Sequence, residues 1–160
     1  MSRGLPTAGT TRAIPERVEF VLELPSDLRM IEAAVTYLVN RCRSYAFGGS
    51  RLSLNFRVGI TEALANAVLY GNGGDPAKHI RVEVSLDSSR VALCVMDEGR
   101  GFNPGAVPDP TLPENLDRSG GRGLFLIRNL MDEVEFSDRG NEVRLVLLRE
   151  APRERRSAGE

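Results

Sequence analysis

The feature that most constrains this chain is an apolar stripe at helical spacing. It starts at Leu52, passes through Phe56, Ile60 and Leu64, and reaches Ala67 and Val68 before Gly71-Asn72-Gly73-Gly74-Asp75-Pro76 stops it. Ser50 is the candidate cap. Within the stripe, Arg57 to Asn72 reads RVGITEALANAVLYGN, and a helix there sets Glu62 and Asn66 one turn apart on a shared face. A carboxylate and a carboxamide then point the same way. That spacing alone also describes two solvated side chains, so the segments that follow must decide between a site and a surface.

Around this helix the chain supplies strands. Val18, Phe20, Leu22 and Leu24 alternate with Glu19, Val21 and Glu23, which predicts a strand with one face in the core. Pro25-Ser26-Asp27 ends it, with Ser26 offered as the cap of a helix carrying Ile31, Val35, Leu38, Val39 and Cys42. Ile80, Val82, Val84 and Leu86, a turn at Asp87-Ser88-Ser89, and the apolar run VALCVM predict a hairpin whose second strand is central and covered by helices. Asn103 to Ser119 carries four prolines and reads as a long loop, a length uncommon unless functional or disordered. Leu124, Ile127 and Met131 give a short amphipathic helix. Val134 and Phe136, a turn at Asp138 to Asn141, and Val143, Leu145 and Leu147 give a closing hairpin.

Grouped helices between strand hairpins argue for an α/β two-layer sandwich: a mixed, mostly antiparallel sheet covered on one face by about three helices. The 160 residues suit one domain. Residues 1–16 are expected to be a flexible leader, 17–150 the domain and 151–160 a disordered tail. A net charge of −1 gives no reason to expect nucleic acid or an acidic membrane surface. There is neither a run of about 18 apolar residues to span a bilayer nor the apolar core of a signal peptide. Cys42 and Cys94 read as small core residues of a reducing compartment, so the cytoplasm is the expected location. His79 is the single histidine, which excludes a Ser-His-Asp triad and the usual zinc sets from this sequence.

The chemistry gathers in three segments. Asp97 follows the central apolar strand in Asp97-Glu98-Gly99-Arg100-Gly101, so its carboxylate emerges in a partly desolvated place. There it can accept a hydrogen bond from an exocyclic amine such as that of adenine and would repel the carbonyl of guanine, which predicts ATP over GTP. Gly99 and Gly101 allow close backbone approach, although an ordinary turn after a strand reads the same way. Gly120-Gly121-Arg122-Gly123-Leu124 opens a helix out of the long loop, where free N–H groups suit a phosphate; a plain hinge is the alternative. Neither the P-loop motif nor the dinucleotide GxGxxG is present. Asn66 brings an amide oxygen suited to magnesium. Glu62 would lie near the terminal phosphate and could deprotonate an incoming hydroxyl. Arg100, Arg118 and Arg122 flank the region as candidate phosphate contacts.

These segments resemble the Bergerat-fold ATPases, a group that includes gyrase, Hsp90, MutL and histidine kinase catalytic domains. Glu62-x-x-x-Asn66 looks like the N box, Asp97-x-Gly99-x-Gly101 the G1 box and Gly121-x-Gly123 the G2 box. EALANAV, DEGRGF, VPDPTLPENL and GRGLFLIRNLMDEV are most similar to the anti-sigma-factor serine/threonine kinases of bacterial partner switching. From Val18 to Arg149 the resemblance implies Mg-ATP bound under a lid, with Glu62 as catalytic base and Asn66 as magnesium ligand. It implies Asp97 as adenine contact, with Gly99, Gly101, Gly121, Arg122, Gly123 and Leu124 around the nucleotide. It further implies a homodimer, a sigma factor held inactive, and a STAS-type anti-anti-sigma partner phosphorylated on serine or threonine. Tyr70 departs from the histidine of an H-G-N ending to the N box, and Arg100 is bulky between the G1 glycines. Two alternatives stay open: a nucleotide-gated binding regulator without kinase activity, and the catalytic domain of a split histidine kinase.

Overall fold

A computed structural model of the chain describes residues 16–45, 49–107, 109–115 and 121–149. The expected leader, Glu16 apart, and the expected tail lie outside the described residues, as do Arg118 and Gly120. Five strands, β1 (Arg17–Pro25), β2 (His79–Asp87), β3 (Arg90–Met96), β4 (Glu133–Phe136) and β5 (Glu142–Leu148), form one sheet in the order β1-β2-β3-β5-β4. Every pairing is antiparallel, so within the described residues the sheet has no parallel pair. Three α-helices, α1 (Ile31–Ser44), α2 (Arg57–Asn66) and α3 (Arg122–Leu130), complete the two-layer sandwich.

Register explains which face the helices cover. Phe20, Val84, Leu93, Leu145 and Val134 stand opposite one another in a row across all five strands. This row belongs to the core, with Leu93 and Leu145 essentially inaccessible. One residue along, the row is Val21, Glu83, Cys94, Arg144 and Glu135, and it lies on the opposite face. β3 is central as expected, but its outward residues Ala92, Cys94 and Met96 are only half-buried, because helices cover one face. Burial pushes the Cys42 thiol up to about 12. Burial, then the hydrogen bond to Glu142, does the same for Cys94. Both thiols therefore stay protonated at neutral pH.

The long helical stripe folds as one continuous rod with α2 at its centre and wider π turns at Arg51–Phe56 and Ala67–Gly71. Leu52, Phe56, Ile60 and Leu64 are fully buried. Two expected caps differ. Ser50 already has helical dihedrals and makes no capping bond. Ahead of α1 the side chain that caps is Asp27, which accepts the Arg29 N–H and opens a 3-10 turn at Leu28–Met30, while the Ser26 hydroxyl is buried without a partner. A carboxylate is the stronger acceptor at this position, because the bond it takes is charge-assisted.

Arg51 fastens the start of the rod to the far edge of the sheet. Its Nη2 lies 2.8 Å from both oxygens of Asp132, whose Oδ2 also accepts the Leu148 N–H at 2.7 Å. Burial pushes the Asp132 carboxyl up, but the hydrogen bonds from Arg51 and Leu148 outweigh it and hold the group below its ordinary value. Its stabilisation is therefore present above the unfolded pKa and lost as pH falls through the depressed native one. Asp132→Ala is expected to cost about 1–2 kcal/mol at neutral pH. In urea unfolding, that difference should shrink below about pH 4.

Candidate functional site

Between the rod, α3 and the carboxyl end of β3 lies a cleft of about 490 Å³. α2 contributes Glu62 and Asn66 to its wall, the π turn after it Tyr70 and Gly71, and the end of β3 contributes Asp97. Gly121, Arg122, Gly123 and Leu124 form the opposite wall. The helix and the second glycine segment, far apart in sequence, meet here. A Cβ at Gly123 would sit 2.6 Å from Glu62 Oε2 and 3.5 Å from Asn66 Oδ1. Glycine keeps that space open in front of both polar groups. Neither side chain has a hydrogen bond or ion pair to another described residue, so both are available to a ligand.

α3 begins at Gly121, whose φ of 77° is the left-handed conformation that glycine tolerates best. The first bond within the helix is from the Phe125 N–H to the Gly121 carbonyl. The N–H groups of Arg122, Gly123 and Leu124 therefore precede it, at the positive end of the helix and against the cleft. Such a terminus accepts anions.

Asp97 supplies the opposite chemistry. Burial raises its carboxyl above the ordinary value, against the opposing pull of the Gly99 N–H, 2.8 Å from Oδ1, and the nearby charge of Lys78. It is a half-buried acceptor facing a largely apolar space. Gly71 lies against it so closely that a Cβ there would come within 2.3 Å of the carboxyl group.

Two expected site residues have a different place. Gly99 and Gly101 do not line the cleft but stand behind its wall. What approaches them is protein backbone: a Cβ on Gly99 would fall 1.8 Å from the Gly71 carbonyl oxygen, and one on Gly101 1.6 Å from that of Arg139. Arg100 is exposed and also outside the lining. Tyr70, noted in sequence only as a departure, stands at the lip with 72% of its surface exposed. Phe102 and Phe136 meet edge to face at 5.5 Å and line the cleft together. Phe102 directly follows the glycine segment, a sequence signal that a wall residue was close; Phe136 carried none beyond strand alternation.

One cleft thus gathers a helix start suited to an anion, a half-buried carboxylate and a Glu/Asn pair. The chain belongs to the histidine kinase-like ATPase domain family, which residues 24–147 match. Anti-sigma F factors of Bacillus cytotoxicus and Anoxybacillus flavithermus are similar to it, with 40% identity over 81 residues and 34% over 87. These matches take in 48% and 52% of this chain and 54% and 58% of the relatives, so the chain spans little more than half the length of those relatives. Among solved structures, the mycobacterial sensor histidine kinase MprB is similar at a TM-score of 0.45 and 15% identity, covering 82% of this chain and 98% of that one. No helix among the described residues is long and apolar enough to cross a membrane.

Proposed function

We propose that this chain is an ATP-dependent serine/threonine protein kinase that acts as an anti-sigma factor, holding a sigma factor and phosphorylating a STAS-type anti-anti-sigma partner. The observation that supports it most is the meeting of Glu62 and Asn66 with Gly123 inside a cleft that has Asp97 in its wall. In this reading Asp97 accepts the adenine amine, and the α3 N–H groups of Arg122, Gly123 and Leu124 hold the phosphates. Glu62 takes the proton of a serine or threonine hydroxyl as its oxygen bonds to the terminal phosphorus, and the bond to the leaving ADP oxygen breaks.

Asn66 fits magnesium by its donor chemistry, a hard amide oxygen beside a carboxylate in a space that glycine leaves open. Among the described residues no three His, Cys, Asp or Glu side chains converge as a metal site; magnesium held by Asn66 would take its remaining ligands from phosphate and water. When bound, the ion offsets phosphate charge. The homodimer and the cytoplasmic location belong to the same proposal.

The test is transfer of label from the terminal phosphate of ATP to a STAS-type protein encoded in the same genome. An acid-stable label on serine or threonine is expected. An acid-labile label would instead indicate histidine phosphorylation, and nucleotide-dependent binding without transfer would make the chain a non-catalytic regulator.

A further inference from the structure

Asn72 is 2% exposed and, with Ser26, one of two buried polar residues among the described residues. Both ends of its carboxamide are used. Nδ2 donates to the His79 carbonyl at 3.1 Å, and Oδ1 accepts the Glu98 N–H at 2.8 Å. Its own N–H donates to the Ala67 carbonyl, five residues back, at 2.7 Å and closes the π turn that ends the rod. One partner of the side chain is a fixed acceptor and the other a fixed donor. A carboxylate lacks the donor this requires, and an alkyl group lacks both functions.

The consequence falls on Asp97. On its N-terminal side, the Asp97 N–H is held by the Asn141 carbonyl at 3.0 Å. On its C-terminal side, the next N–H, that of Glu98, is held by Asn72. The Glu98 carboxylate adds a second tie to the same place by accepting the His79 N–H. The backbone that aims the Asp97 carboxyl is thus bracketed by Asn141 and Asn72. Asn72 itself does not line the cleft.

We infer that Asn72 is a positioning residue that sets base selectivity by aiming Asp97, without touching the nucleotide. The inference rests on the reading of the cleft as an ATP site. It would also explain why a carboxamide stands at the end of the helix that carries Glu62 and Asn66.

Calorimetric titration with ATP and with GTP, on the wild type, Asp97→Ala, Asn72→Ser and Asn72→Asp, tests it. Circular dichroism establishes that each variant is folded. Both Asn72 variants are expected to lose ATP affinity on the order of 10-fold to 100-fold, the range spanned by loss of a buried hydrogen bond. Their ATP-to-GTP ratio should collapse toward that of Asp97→Ala, a change that a purely structural role would not produce. If Asp97→Ala loses the ratio while folded Asn72 variants keep it, the inference is overturned and the ATP site stands. If Asp97→Ala keeps full ATP preference, the site reading fails and takes the inference with it. Should both Asn72 variants unfold, deuterium exchange of the wild type decides. A Glu98 amide protected in the free protein and further protected by ATP is expected, and exchange at the unprotected rate overturns the inference.

Discussion

Alanine at Gly101 is expected to unfold the wall of the cleft. The residue has a φ of 82°, and the added Cβ would fall 1.6 Å from the Arg139 carbonyl oxygen, which belongs to the turn between β4 and β5. That turn cannot retreat freely, because the Asn141 carbonyl holds the Asp97 N–H and Gly140 lies so near the Phe102 backbone that a Cβ there would fall 1.9 Å from its carbonyl oxygen. Left-handed strain and a backbone clash together place Gly101→Ala in the class of substitutions costing more than about 4 kcal/mol. A domain of this size has roughly 5–15 kcal/mol in total. The control is Gly105→Ala, where the new Cβ meets only Asn103 Oδ1 at 3.3 Å and φ is not positive; its cost should stay within about 1 kcal/mol. Urea midpoints of the two variants measure the contrast, and equal midpoints would mean that the interlock between the turn and the Asp97 loop is not rigid.

The second large effect is expected from Glu62→Gln. The change keeps the volume that faces Gly123, but it removes the charge, replaces one acceptor oxygen with an NH2 donor and so abolishes the ability to take a proton. In the proposed reaction, phosphoryl transfer to a STAS-type partner should fall by about 10²- to 10⁴-fold, the usual contribution of a positioned general base. Affinity for ATP should change little, because adenine and phosphates are assigned to other residues. Single-turnover rates beside equilibrium binding separate the two quantities. Transfer at the wild-type rate would remove Glu62 from the chemistry and leave its place in the cleft without a catalytic role.

Much of this was legible in sequence because the signals were periodic. The alternation in residues 18–24 and 80–86 and the helical stripe from Leu52 to Val68 state which face is buried, and sheet register follows from that. Glu62 and Asn66 were legible as a pair because a single helix carries both. Their meeting with Gly123, 57 positions after Asn66, was legible only through the family resemblance, since periodicity says nothing of how distant segments close on one another. Gly99 and Gly101 were legible as positions of close approach, but sequence cannot say what approaches. The answer is the backbone of Gly71 and Arg139. Asn72 was visible only as the end of a helix, because a hydrogen-bonded buried amide and a solvated one are the same letter. The cap ahead of α1 differed for a local reason: a serine and an aspartate side by side both qualify, and the carboxylate of Asp27 is the stronger acceptor.

The cleft is proposed as an adenine-selective nucleotide site suited to magnesium-dependent phosphoryl transfer. Calorimetric binding of ATP, ADP and GTP, with and without magnesium, on the wild type, Asp97→Ala and Asn66→Ala tests it most directly. ATP and ADP are expected to bind in preference to GTP, the preference to vanish in Asp97→Ala, and the magnesium dependence to weaken in Asn66→Ala. Absence of wild-type binding at millimolar nucleotide would contradict it and make the chain a protein-binding scaffold built on an ATPase fold.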